Sequence, residues 1–106
     1  MSPIVLVSMK DLAYDSARLE ALCREYHVKR LAVFGSALRG DDNPGSDLDL
    51  LVEFQFGHGV SLFGLARLQR SLTDVFARTV DLNTEGFLDQ SFRAKVVHDA
   101  KSIYAG

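Results

Sequence analysis

The chain's 106 residues are 47% apolar and 25% charged, the balance of a soluble globular protein with one core, so a single domain over residues 1–106 is expected. A formal net charge of −2 leaves no basic footprint of the kind a dedicated nucleic-acid binder carries. The single cysteine, Cys23, excludes an internal disulfide and suits a reducing compartment.

The chain opens on a short apolar run, Ile4-Val5-Leu6-Val7, too short to span a membrane and with no basic region before it. A cytoplasmic location is expected. A strand, a partner contact and a tail all remain open for this run. Leu12, Leu19, Leu22, Cys23 and Tyr26 recur at helical spacing, so the pattern predicts an amphipathic helix over Asp11 to Tyr26. Within that helix Cys23 is expected to serve packing.

Lys29 to Phe34 reads as the first strand of the chain's centre. Gly35-Ser36 breaks it, and Ser36 to Arg39 is expected to open a short helix. Asp41-Asp42-Asn43-Pro44-Gly45 is a turn by composition. Asp47 to Phe54 is the next expected strand. On it Leu48, Leu50, Val52 and Phe54 share a core-facing side, while Asp47, Asp49, Leu51 and Glu53 face a cleft. His58, between two glycines, belongs to a loop. A second long helix is expected over Ser61 to Ala77 and a short strand over Thr79 to Asn83. A last helix, Leu88 to Tyr104, is expected to bury Phe92, Val96, Ala100 and Ile103. The order predicts an α+β fold, a small mixed sheet flanked by helices, with pairing order and direction left open.

The chemistry-bearing residues cluster in the middle. Asp47 and Asp49, two apart on a strand, point to one face and repel each other unless a cation lies between them. Magnesium takes such oxygen ligands, commonly one or two carboxylates together with substrate phosphates. A pair of ions requires a further acid, and Asp81, alternating with core residues on the short strand, is the candidate. Glycine at Gly35 lets the backbone approach a ligand closely, and a helix opening beside it offers N–H groups to phosphate. The Ser36 hydroxyl and the Arg39 guanidinium could add hydrogen bonds to phosphate oxygens. Each feature alone is ordinary in a turn or on a solvated strand. Their coincidence at these offsets is what points to phosphate chemistry. Glu53 is expected in a solvated or salt-bridged role, and Asp41-Asp42 in a solvated turn.

Gly35-Ser36-x-x-Arg39-Gly40 followed by Ser46-Asp47-x-Asp49-Leu50 resembles the signature of the DNA polymerase beta-like nucleotidyltransferases, and more narrowly the minimal nucleotidyltransferases, or MNT family. The resemblance covers nearly the whole chain. It implies transfer of a nucleoside monophosphate, AMP from ATP, to a hydroxyl with release of pyrophosphate. It implies Gly35, Ser36, Arg39 and Ser46 as nucleotide-binding residues, and Asp47, Asp49 and Asp81 as catalytic ligands of two Mg2+ ions. It further implies an antitoxin whose partner is a HEPN-type toxin, modified on a tyrosine, with a homo-oligomer within the toxin complex compatible with that role. Membrane and nucleic-acid partners are not expected. A binding-only antitoxin, and a nucleotidyltransferase acting on RNA or a small hydroxylated molecule, remain as rival readings.

Overall fold

The computed structural model describes residues 4–6, 13–35, 47–85 and 99–106. In chain order these form β1 (Ile4–Leu6), β2 (Ala13–Asp15), α1 (Ser16–Glu25), β3 (Val28–Phe34), β4 (Leu48–Phe54), α2 (Leu62–Phe76), β5 (Val80–Asn83) and β6 (Lys101–Ala105). The apolar run at the N-terminus is a strand: β1 pairs antiparallel with β2. The other four strands make a mixed sheet in the order β5-β4-β3-β6, parallel between β4 and β5 and antiparallel elsewhere. The α+β architecture expected from the sequence is the one observed.

Helix α1 begins at Ser16, later than the periodicity predicts. Asp15 is the reason: its carboxylate accepts from Ala17 N (3.0 Å) and Arg18 N (3.2 Å), capping the first turn. Ala13–Asp15 is meanwhile committed to pairing with β1. Leu19 and Cys23, four residues apart, are the buried stripe of α1. His27, at φ 57, turns the chain from α1 into β3. Helix α2 is capped by Ser61, whose hydroxyl accepts from Gly64 N (3.1 Å), and ends at Ala77 in the left-handed region. Its buried stripe is Gly64, Leu68, Leu72 and Phe76.

Both stripes face the same side of the sheet. There Leu31 and Val33 of β3, Leu48, Leu50 and Val52 of β4, and Val80 and Leu82 of β5 complete the main core. The Tyr14 and Phe76 rings meet at 5.1 Å and 57° within it. Cys23 is 1% exposed in this core, and burial, with Glu20 adding to it, pushes its thiol up to about 12. It is therefore a packing residue, as expected.

Two expectations are corrected. Leu51 shares the parity of the aspartates, but it is buried at 5% in a second cluster with Ala32, Phe34 and Ala100. The face expected to open to a cleft thus has an apolar floor. The last helix does not run to Tyr104. Lys101–Ala105 is a strand, because the outer edge of β3 needs hydrogen-bond partners and this segment supplies them. Gly106 N extends that pairing to Lys29 O (2.8 Å). The rest of the expected helix, through residue 98, and the expected short helix over Ser36 to Arg39 lie outside the described residues. No helix among the described residues is long and apolar enough to cross a membrane.

Candidate functional site

The apolar residues of β4 bury one side of the strand, so its alternate residues must emerge on the other. Asp49 does so in the second turn of that alternation, half-buried, with exposed Asp47 just ahead of the strand on the same parity. Strand β5 repeats the device. Val80 and Leu82 are buried, and Asp81 between them is exposed. Parallel pairing matches Leu48 with Val80, Asp49 with Asp81, and Leu50 with Leu82. Asp49 and Asp81 are therefore direct neighbours on adjacent strands, which run roughly 4.8 Å apart. Of the three aspartates singled out from the sequence, the register brings Asp49 and Asp81 together on one face of the sheet, and Asp47 immediately precedes β4.

Gly35 closes the other flank. Phe34 pairs with Asp49 across β3 and β4, so the residue after Phe34 leaves the sheet beside the Asp49 side chain. Gly35 does so at φ +75, in the left-handed region. A Cβ built on it would fall onto the Asp49 carboxylate oxygen Oδ2, with the Asp49 Cγ and Cβ also crowding it. The glycine is required twice, for its backbone angle and for the space the carboxylate occupies. Ser36, Arg39 and Ser46, the remaining expected nucleotide-binding residues, lie outside the described residues.

Asp49 and Asp81 on adjacent strands, with Asp47 just ahead of β4, offer hard carboxylate oxygens of the kind an oxygen-seeking divalent cation such as Mg2+ takes. Among the described residues no three Asp, Glu, His or Cys side chains are already gathered into a metal-binding group. Asp49 and Asp81 are neighbours without forming a closed cage. Asp47 and Asp81 are exposed, so their rotamers are free to turn inward.

Further along the same face Glu53 approaches Lys29 at 4.0 Å, with both side chains about half exposed, so it is the solvated ion-pair partner expected. A cavity of about 220 Å³ begins at Leu51 and is lined also by Arg30, Val52, Glu53, Phe54, Thr84 and Glu85. Arg30 on its wall is held by Ser102 Oγ and by Ala100 O (3.1 Å). His58 lies in the loop after β4, as expected, its ring stacked on His27 at 4.1 Å.

Two residues of α2 to which the sequence pattern gave no role also bear on the site. Gln69 Oε1 accepts from Leu82 N (2.9 Å), and Thr73 Oγ1 accepts from Val80 N (3.2 Å). These amides flank Asp81. The available signal was a pair of hydrogen-bonding side chains four apart on an otherwise apolar-facing helix. The sequence does not say which strand they reach.

The nucleotidyltransferase domain family matches residues 17–104 of the chain. A protein of Methanocaldococcus jannaschii that carries the name protein adenylyltransferase is 34% identical over 79 residues, 74% of this chain and 83% of that protein. A solved structure described as a minimal nucleotidyltransferase superposes with TM-score 0.66 at 34% identity, covering 84% of this chain and 87% of that one. A chain from a complex of tri-AMPylated Shewanella oneidensis HEPN toxin with MNT antitoxin superposes with TM-score 0.60, covering 86% of this chain and 70% of that one. At 17% identity that last likeness is one of fold. With the family match spanning most of the chain and relatives 34% identical over most of its length, this protein belongs to the nucleotidyltransferase domain family and, within the polymerase beta-like enzymes, to the minimal nucleotidyltransferases.

Proposed function

We propose that this enzyme transfers AMP from ATP to a hydroxyl, a tyrosine on a HEPN-type toxin, and so acts as that toxin's antitoxin. The observation that carries the reading is the register of Asp49 with Asp81, with the Gly35 turn seated against Asp49. The names of the sequence relatives support a protein acceptor, and the AMPylated toxin in the structural relative supports its class.

The reaction balances without a covalent enzyme intermediate. The acceptor oxygen forms a bond to the α-phosphorus, the bond from that phosphorus to the bridging oxygen breaks, and pyrophosphate leaves. Asp47, Asp49 and Asp81 would hold divalent cations, which when bound supply charge neutralisation for the pyrophosphate and acidify the hydroxyl. Asp81 orients the hydroxyl and receives its proton. The backbone at Gly35, with Ser36, Arg39 and Ser46 assigned from the motif, holds the triphosphate so that the acceptor attacks in line. Catalysis is then positioning and electrostatics.

The test is to incubate the protein with ATP labelled at the α-phosphate, Mg2+ and a HEPN-type protein from the same genome. Label is expected on a tyrosine of that protein and lost in Asp49→Asn. Toxin neutralised with no label transferred would overturn the proposal in favour of inhibition by binding.

A further inference from the structure

Strand β5 carries Asp81 but, among the described residues, is an edge of the sheet that pairs with β4 alone. A four-residue edge strand has few ladder bonds to fix where it sits. Burial of Val80 and Leu82 selects its face, yet a slip of two residues keeps that face and moves Asp81 roughly 6.6 Å along the sheet. Something besides apolar burial must hold the register of Asp81 with Asp49. Leu48 N bonds Thr79 O (2.8 Å), so the odd-numbered residues of β5 face β4 and the amides of Val80 and Leu82 face outward. Both outward amides are taken by α2, Val80 N by Thr73 Oγ1 and Leu82 N by Gln69 Oε1. The Thr73 hydroxyl donates its own hydrogen to Gln69 O (3.0 Å), which leaves its lone pair aimed at Val80. Helix α2 is a firm base for this, since Leu68 and Leu72 between and beside these residues are fully buried.

We propose that Gln69 and Thr73 are positioning residues: a two-point clamp from α2 that brackets Asp81 and sets its register against Asp49. The clamp rests on the reading of Asp81 as a ligand of the divalent cation. It acts on one carboxylate, so it governs turnover and metal affinity more than nucleotide binding at the Gly35 turn.

The test uses Thr73→Val, which keeps the shape and removes the hydroxyl, Gln69→Leu, and Thr73→Ser, which restores the hydroxyl. Mn2+ affinity is read from free-ion electron paramagnetic resonance on the protein alone, and AMP transfer is measured with its partner. Thr73→Val and Gln69→Leu should each weaken Mn2+ binding by about fivefold and lower kcat about tenfold, with KM for ATP within about twofold of wild type. Thr73→Ser should recover most of both. In an Asp81→Asn background neither substitution should weaken Mn2+ binding further, because the clamp acts through that carboxylate. Amide hydrogen exchange at Val80 and Leu82 confirms that each variant is folded with the clamp bond lost. Unchanged Mn2+ affinity in a folded Thr73→Val protein, a Thr73→Ser protein as impaired as Thr73→Val, or a full additional loss on top of Asp81→Asn would each overturn the clamp. A wild type that binds no Mn2+ overturns it as well. A wild type that shows the clamp-dependent Mn2+ binding yet labels no protein overturns the proposed function and leaves the clamp standing.

Discussion

The Asp49 carboxylate occupies the space that a side chain on residue 35 would need. Gly35 sits at φ +75, where an L side chain costs about 1–2 kcal/mol. In Gly35→Ala the backbone penalty and the collision fall on different properties. The carboxylate is the movable end of the pair, so it swings away and the fold survives. The expected outcome is a stability loss of about 1–3 kcal/mol, a shift of several degrees in Tm for a domain of this size, with transfer activity as low as in Asp49→Asn. Urea unfolding and the labelled-ATP assay check the two parts. Near-wild-type transfer in Gly35→Ala would contradict the placement of Asp49.

Asp49 and Asp81 are like charges held side by side on parallel strands. Such a pair is destabilising on its own and stabilising once a cation bridges it. Asp81→Asn should therefore leave the metal-free protein as stable as wild type or slightly more so. Mg2+ should raise the wild-type Tm and fail to raise that of Asp81→Asn or Asp49→Asn. At a concentration of about 100 times Kd the gain is about 2.7 kcal/mol. Thermal unfolding with and without excess chelator makes the measurement. Equal Mg2+ stabilisation of all three proteins would count against these carboxylates as ligands.

The central half of the fold was legible because each strand there carries its own reading frame. Leu48, Leu50 and Val52 fix a core side, and the aspartates necessarily take the other. The pairing of Asp49 with Asp81 was not legible, since 32 positions and a helix separate them and register is a property of two strands. The closing strand is hidden from the sequence for the same reason. Phe92, Val96, Ala100 and Ile103 have helical spacing, but Ile103 and Tyr104 are claimed by β3, some 70 residues earlier, whose free edge no local pattern reveals. Parity alone puts Leu51 on the cleft side, and parity cannot tell a solvated face from one with an apolar floor.

Helix α2 bears both the core stripe and the clamp residues, so its N-cap tests how far the site depends on the helix. Ser61 satisfies Gly64 N in its first turn. Ser61→Ala should cost about 1 kcal/mol. Gln69 lies two turns further on, beyond the reach of fraying, so kcat should stay within about twofold of wild type at temperatures well below Tm. Denaturant midpoints and transfer rates at 25 °C measure the two effects. A large fall in kcat would mean that the first turn of α2 itself contributes to the site.

Cys23 and Tyr14 give the core a one-sided response to pH. Burial raises both groups, the Cys23 thiol from 9.0 to about 12, with the nearby Glu20 charge adding to it. The fold therefore prefers both protonated. The stability this contributes is fully present below pH 9 and is lost as pH rises from the unfolded thiol's value through the folded one. The Cys23 thiol adds at most about 1.4 kcal/mol of lost stability per pH unit in that window. Urea midpoints should be flat with respect to Cys23 from pH 7 to 9 and then fall. Cys23→Ala should start lower, from lost packing, but fall less steeply above pH 9. Thiol-directed reagents at pH 8 should modify the native protein slowly and the urea-unfolded protein at once. Parallel pH profiles for wild type and Cys23→Ala would show that the thiol does not titrate within the core.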